Sequence, residues 1–200
     1  PTVQLTSPNG GEFWEASGTF AVTWIASDAD DDQLRFIVSY SPDAGITWMP
    51  MALDVATSHL AVDGWNLPGS TEALFKVEAS DQLHVAEDIS DSTLAVAPKE
   101  PQAYILSPEG SVSIRPGMPL WLDGYGYDLE DGSLQQTALR WRSSRDGELG
   151  TGNQLLVTLS LGYHVVTLTA TDSSGDVGEA RVEVFVMHKV YLPLVLQNHF

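Results

Sequence analysis

The residues of this chain best suited to chemistry are carboxylates. Asp28, Asp30, Asp31 and Asp32 crowd one short stretch, and Asp81 stands far downstream; Asp128, Glu130, Asp131 and Asp172 repeat the arrangement in the second half. Carboxylates brought together repel one another, and a hard cation with six to eight oxygen ligands relieves that repulsion. The spacing is not that of an EF-hand, and Asp is also an ordinary turn residue. A structural Ca²⁺ at Asp28, Asp30, Asp32 and Asp81, and at Asp128, Glu130, Asp131 and Asp172, is one expectation, and solvated turns are the other. No cofactor is required for either.

Other chemistry finds little support. The sequence has no Gly-x-Ser-x-Gly elbow, no His-Glu-x-x-His helix and no Walker loop, and it contains no cysteine, which excludes thiolate nucleophiles, thiolate metal sites and disulfides. Gly147 to Gly152 imitates part of a glycine-rich nucleotide fingerprint, but without the strand and helix that must flank one it reads as a hairpin. The five histidines are scattered, and His164 reads as a structural residue on a strand beside Tyr163. No catalytic residue is assigned, and the chain is expected not to be an enzyme. A different possibility rests on aromatics, because exposed rings can bind sugars. Trp14, Trp48, Trp65, Trp121, Tyr125 and Tyr127 are the candidates, with Trp48 and Trp65 taken as the ligand-binding pair.

The elements that must position these residues follow from repetition and period. Leu5-Thr6-Ser7-Pro8-Asn9-Gly10 matches Ile105-Leu106-Ser107-Pro108-Glu109-Gly110, and Phe20, Val22, Asp28 and Leu34 stand opposite Leu120, Leu122, Asp128 and Leu134. The offset is about 100 residues, so the chain reads as a tandem duplication. Apolar and polar residues alternate at Phe20, Val22 and Trp24, at Phe36, Val38 and Tyr40, at Leu74, Phe75 and Val77, at Leu155, Val157 and Leu159, and at Val166, Leu168 and Ala170. Period-two runs bounded by Gly, Pro, Asp and Ser predict half-buried antiparallel strands. The fold class is therefore all-β, two tandem β-sandwich domains, which the resemblances given below make immunoglobulin-like: residues 1–97, a short Pro-containing linker at 98–101, residues 102–188, and an apolar C-terminal tail or extra strand at 189–200.

Charge narrows the partners. The chain carries 27 acids against 9 Lys and Arg, a formal charge of −18, and residues 1–98 hold 15 of the acids against 2 bases. Such a field repels phosphate backbones, so nucleic acid is not an expected partner. No run approaches the ~20 apolar residues needed to span a bilayer.

Particular motifs resemble known families. Ser7-Pro8-Asn9-Gly10-Gly11-Glu12 with Trp24 resembles an Ig-like domain common near the C-termini of secreted bacterial proteins. The second copy, with Asp128-Leu129-Glu130-Asp131-Gly132, Trp141, Gly162-Tyr163-His164 and Thr171-Asp172-Ser173-Ser174-Gly175, resembles bacterial Ig-like domains of the polycystic-kidney-disease and fibronectin-III-like kinds. Its Tyr163 resembles a tyrosine corner, whose hydroxyl bonds backbone. Ser41-Pro42-Asp43-Ala44-Gly45-Ile46-Thr47-Trp48 is similar to the Asp-box of sialidase propellers, in which Ser41, Asp43, Gly45, Thr47 and Trp48 would fix a hairpin; Ser144-Arg145-Asp146-Gly147 is a degenerate echo. The single full copy does not make a propeller. The tail Val190 to Leu196 resembles a C-terminal motif of exported proteins in some filamentous bacteria. These resemblances imply a non-catalytic C-terminal module of a larger exported, bacterial protein, extracellular or at the cell surface. It would act as spacer or adhesion domain beside upstream domains of the same polypeptide, binding protein or polysaccharide. The alternative is a carbohydrate-binding accessory to an upstream hydrolase.

Overall fold

The computed structural model describes residues 1–188, and the tail expected at 189–200 lies outside the described residues. The chain divides into two compact units, Pro1–Lys99 and Glu100–Phe200. Pro98 packs against Gly69 of the first unit and Pro101 against Gly178 of the second, at positions where only a glycine leaves room for the proline backbone.

In the first unit, strands β1 (Thr2–Ser7), β2 (Phe13–Trp14), β3 (Thr19–Ser27), β4 (Arg35–Ser41), β5 (Met49–Val55) and β6 (His59–Asp63) precede a 3₁₀ turn at Gly64–Asn66. Strands β7 (Ser70–Ser80), β8 (Val85–Ile89) and β9 (Leu94–Val96) follow. One sheet runs β1-β3-β6; the other runs β2-β9-β7-β4-β5, with β8 also on β7. The alternation in the sequence sets the inward faces: Val22 and Trp24 of β3 meet Phe36, Val38 and Tyr40 of β4 and Phe75 and Val77 of β7, all buried. On β7 the inward row is Ala73, Phe75, Val77 and Ala79, so Leu74 faces outward from the core row it was expected to join.

The second unit repeats the plan with β10 (Gln102–Ser107), β11 (Val112–Ile114), β12 (Leu120–Asp128), β13 (Gly132–Leu134), β14 (Leu139–Ser143), β15 (Gly147–Thr151), β16 (Gln154–Val157), β17 (Gly162–Thr171) and β18 (Val177–Val186). One sheet runs β10-β12-β13 with β16 also on β12, and its partner runs β11-β18-β17-β14-β15. Leu122, Leu139, Trp141, Val166, Leu168, Ala170 and Val184 fill the space between them. Both units carry a cis Ser-Pro bond at the same place in the repeat, Ser7-Pro8 and Ser107-Pro108.

The large core ring comes from different strands in the two units. Trp24 on β3 packs edge-on against Phe36 at 5.2 Å, and its buried Nε1 has no hydrogen-bond partner. Trp141 on β14 is fully buried and donates from Nε1 to the Gly152 carbonyl at 2.9 Å. A buried donor without a partner costs about 1–3 kcal/mol, whereas a made bond contributes about 1 kcal/mol. Trp24→Phe is therefore expected to cost less than Trp141→Phe, with a difference of about 1 kcal/mol or more in urea unfolding. Equal losses would count against this assignment of the two indoles.

Candidate functional site: an acidic turn cluster and an aromatic face

The turn between β3 and β4 is built by Asp28. Its Oδ1 accepts the backbone N–H of Asp30 at 2.9 Å and of Asp32 at 3.4 Å, a side-chain closure of the turn that Asp performs well. Its Oδ2 lies 2.9 Å from the Pro1 amino group, and that ammonium, with the turn N–H groups, holds the Asp28 carboxyl below its usual range. At the β7–β8 turn, Asp81 Oδ1 accepts from the N–H groups of Leu83 (2.7 Å) and His84 (2.6 Å), and Oδ2 lies 3.1 Å from His84 Nδ1. Those N–H groups, His84 first, pull the Asp81 carboxyl down to about 2.

The two turns meet at one end of the first unit. One carboxylate oxygen from each of Asp28, Asp32 and Asp81 lies within 4.8 Å of the others. Two oxygens on one Ca²⁺ are at most about 5 Å apart, twice a metal–oxygen distance of about 2.5 Å, so these three fit a single coordination sphere. Asp30 contributes its N–H to Asp28, and its own carboxylate is not one of the three.

The second unit uses the corresponding acids otherwise. Asp128 is 2% exposed; Oδ1 accepts from Glu130 N–H and Asp131 N–H at 2.8 Å each, while the buried Oδ2 has no hydrogen-bond partner. Asp131 accepts from Ser173 N–H (2.6 Å) and Ser173 Oγ (2.9 Å), tying the β12–β13 turn to the β17–β18 turn, and Asp172 closes that second turn on Asp176 N–H at 2.8 Å. Among the described residues, no group of three close carboxylates forms in this unit.

The depressed Asp81 value gives a pH dependence with a definite sign. Unfolded, the carboxyl titrates near 3.9; folded, near 2. Its stabilisation is therefore complete above about pH 4 and is lost as pH falls towards 2, because the unfolded chain takes up the proton first. The melting temperature is expected to fall over that window, and more gently in Asp81→Asn. Identical acid limbs for the two proteins would contradict this role.

The Ser41–Trp48 hairpin has the geometry its residues suggest. Asp43 Oδ1 accepts from Thr47 N–H (2.8 Å) and Ser41 Oγ (2.8 Å), Asp43 Oδ2 accepts from Thr47 Oγ1 (2.7 Å), and Ser41 Oγ accepts from Gly45 N–H (2.8 Å). Gly45 has φ +87°, where a side chain is strained. Trp48 is half-buried, with Lys76 Nζ 5.2 Å from its ring centroid, so part of this candidate sugar platform is already covered. Trp65 is exposed on the 3₁₀ turn, which Asp63 caps by accepting Trp65 N–H at 3.1 Å. Asp43→Ala removes the acceptor of three bonds and is expected to lower the melting temperature; no change on calorimetry would mean the hairpin closes without it.

Two readings around Tyr163 separate. The Tyr163 hydroxyl donates to Glu183 Oε1 at 2.8 Å on the paired strand β18, and not to backbone as a tyrosine corner would. Tyr40 makes the backbone bond instead, donating to the Pro68 carbonyl at 2.7 Å. His164 is fully buried, with Nδ1 2.8 Å from Ser143 Oγ and Nε2 2.8 Å from the Ser160 carbonyl. The carbonyl can only accept, so Nε2–H donates to it, and Ser143 Oγ, which already accepts the N–H groups of Arg145 and Asp146, has its own proton to donate to Nδ1. Ser143 is equally buried, which makes this pair a core fastening and not an accessible nucleophile.

The aromatic candidates split as well. Trp14 is buried, while Trp121, Tyr125 and Tyr127 are exposed on β12. Tyr104 of β10, not foreseen from the sequence, stacks on Tyr125 with ring centroids 4.8 Å apart. The alternation of β10 was readable, but only the register Tyr104↔Tyr125 places the two rings together.

No family model matches the chain, and no curated protein sequence does. Among solved structures, the fibronectin(III)-like modules of Clostridium thermocellum CbhA are 18% identical, with 96% of this chain and 100% of that one aligned at a TM-score of 0.40. The N-terminal four Ig domains of Dscam1 isoform 7.44 are 8% identical over 92% of this chain and 46% of theirs, TM-score 0.41. A chimeric titin Z1Z2-Z1Z2 tandem is 12% identical over 93% of this chain and 100% of that one, TM-score 0.34. No helix among the described residues is long and apolar enough to cross a membrane. The paired sheets and their two cores make the chain an all-β protein of immunoglobulin-like sandwiches.

Proposed function

We propose that this chain is a non-catalytic pair of Ig-like sandwiches from an exported bacterial protein, which spaces or presents neighbouring domains of the same polypeptide outside the cell and is stabilised by Ca²⁺. The observation that carries the reading is the use made of the acids: Asp28, Asp43, Asp81, Asp128 and Asp172 each accept main-chain N–H groups and close turns. Carboxylates spent on turns hold loops at the ends of a sandwich, and at Asp28, Asp32 and Asp81 they also converge to cation-binding distance.

A second observation supports the cation. Pro101 stands to Asp128 as Pro1 stands to Asp28, one repeat apart. Pro101 is acylated and offers no N–H, and Asp128 Oδ2 is buried without a partner; the Pro1 amino group supplies a positive charge to Asp28 Oδ2. A buried carboxylate oxygen with nothing to accept from is where a metal ion restores the balance. A residue placed before Pro1 converts that ammonium into an amide and frees Asp28 Oδ2. Calorimetric titration with Ca²⁺ is thus expected to show binding that tightens when the chain is extended before Pro1 and weakens in a variant carrying both Asp28→Asn and Asp81→Asn. Absence of heat in both the extended and unextended proteins would reject the cation.

A further inference from the structure

The strand β12 has its residues the wrong way round for a sandwich. Its inward positions are Leu120, Leu122, Gly124 and Gly126, and its outward positions are Trp121, Asp123, Tyr125 and Tyr127. Aromatic rings usually supply core area, and glycine in a strand interior weakens it. Here the glycines are required by close approach: a methyl on Gly124 would come within 2.6 Å of Leu168 Cδ2 and 2.7 Å of the Tyr104 carbonyl, and one on Gly126 within 2.9 Å of Ala170 Cβ and Leu139 Cδ2. The first unit has no aromatic ring on the outer face of the matching strand: Phe20, Val22 and Trp24 face inward on β3, and Ala21, Thr23 and the exposed Ile25 face outward. The fold therefore does not demand aromatics on the outer face, yet Trp121, Tyr125, Tyr127 and Tyr104 are 46%, 40%, 47% and 39% exposed there.

We infer that this face is a binding platform for a neutral polysaccharide chain. From Trp121 to Tyr127 the strand advances about 20 Å, long enough to run beneath several sugar rings. The π face of an aromatic ring is negative and attracts the weakly positive C–H groups that a pyranose presents on its flat side. Hydrogen-bonding groups stand beside the rings as sugar hydroxyls need: Gln154 Nε2 donates to Asp123 Oδ2 at 3.1 Å, and the Tyr104 hydroxyl bonds Gln102 Oε1. Charge selects the occupant. The strands β10, β12, β13 and β16 contain no Lys or Arg, and the chain carries −18, so an anionic glycan meets no counter-charge and is repelled. This site is in the second unit and does not involve Trp48 or Trp65.

Affinity electrophoresis of the whole chain through gels containing mixed-linkage β-glucan, xylan or glucomannan, with pull-down on cellulose and chitin, tests the inference. Retardation or depletion by at least one of these, none by alginate, and a loss of affinity of at least tenfold in Trp121→Ala and in Tyr125→Ala are expected, while Trp65→Ala binds as the parent does. Unchanged thermal melting shows that the variants fold; should either not fold, a shift of tryptophan fluorescence in the parent on adding the bound glycan, lost in Tyr127→Ser, serves instead. Failure to interact with every neutral glycan, binding that survives replacement of both Trp121 and Tyr125, or a self-association abolished by Trp121→Ala would overturn it. The Ca²⁺ titration reads the acidic turns and not the aromatic face of β12, so it is unaffected by any of these outcomes.

Discussion

Trp141→Ala is expected to unfold the second unit while the first stays folded. The ring is fully buried at the centre of its core, Nε1 is bonded to Gly152, and its edge reaches the β12 backbone at Gly124, where no side chain could close the gap. Truncating a buried Trp costs about 3–5 kcal/mol, a large part of the ~5–15 kcal/mol that holds a domain together. The corresponding melting transition should drop by on the order of 20 °C, or vanish. Calorimetry would then show one transition kept and one lost, since the core of the first unit shares no residue with that of the second. Simultaneous loss of both would mean that the two cores are not self-sufficient.

Gly178→Ala is expected to be the next most damaging change, though it removes nothing. A Cβ at this position on β18 would fall on the Pro101 carbonyl oxygen, well inside van der Waals contact, and the obstacle is backbone that cannot swing aside as a side-chain tip can. Overpacking of this kind costs about 1–3 kcal/mol or more. Gly117→Ala provides the contrast: nothing surrounds its Cβ, and only its φ of +78° opposes the change, at about 1 kcal/mol. If urea unfolding ranks Gly117→Ala as the worse of the two, the packing of Pro101 on Gly178 does not set the cost of a side chain there.

Much of the fold was legible because inward rows carry their own signal. Phe36, Val38 and Tyr40, and Val166, Leu168 and Ala170, alternate as strands and are buried. Strand β8 was not visible: Glu87 and Asp88 break its pattern, so it reads as part of a polar turn, yet Asp88 Oδ2 is needed there to accept Leu5 N–H at 2.7 Å. The faces of β12 were ambiguous for a related reason. Glycine has no hydropathy signature, and an inward row containing Gly124 and Gly126 leaves the aromatic row as the more core-like of the two. At the acidic turns, the sequence brings Asp28, Asp30, Asp32 and Asp81 into one hypothesis because both segments reach one end of a sandwich. It did not show that Asp30 serves through its N–H, nor that Asp131 is taken by Ser173, since both depend on the path of a turn and not on residue type.

The most direct test of a Ca²⁺-stabilised, non-catalytic pair is thermal unfolding of the chain in millimolar Ca²⁺ and again in excess chelator. A ligand at a hundred times its dissociation constant adds about 2.7 kcal/mol to the state that binds it, a rise on the order of 10 °C for a domain of this size. The account predicts such a rise, diminished by Asp28→Asn and Asp81→Asn. A melting temperature indifferent to both Ca²⁺ and chelator would contradict it and leave the acids as turn-closing residues alone.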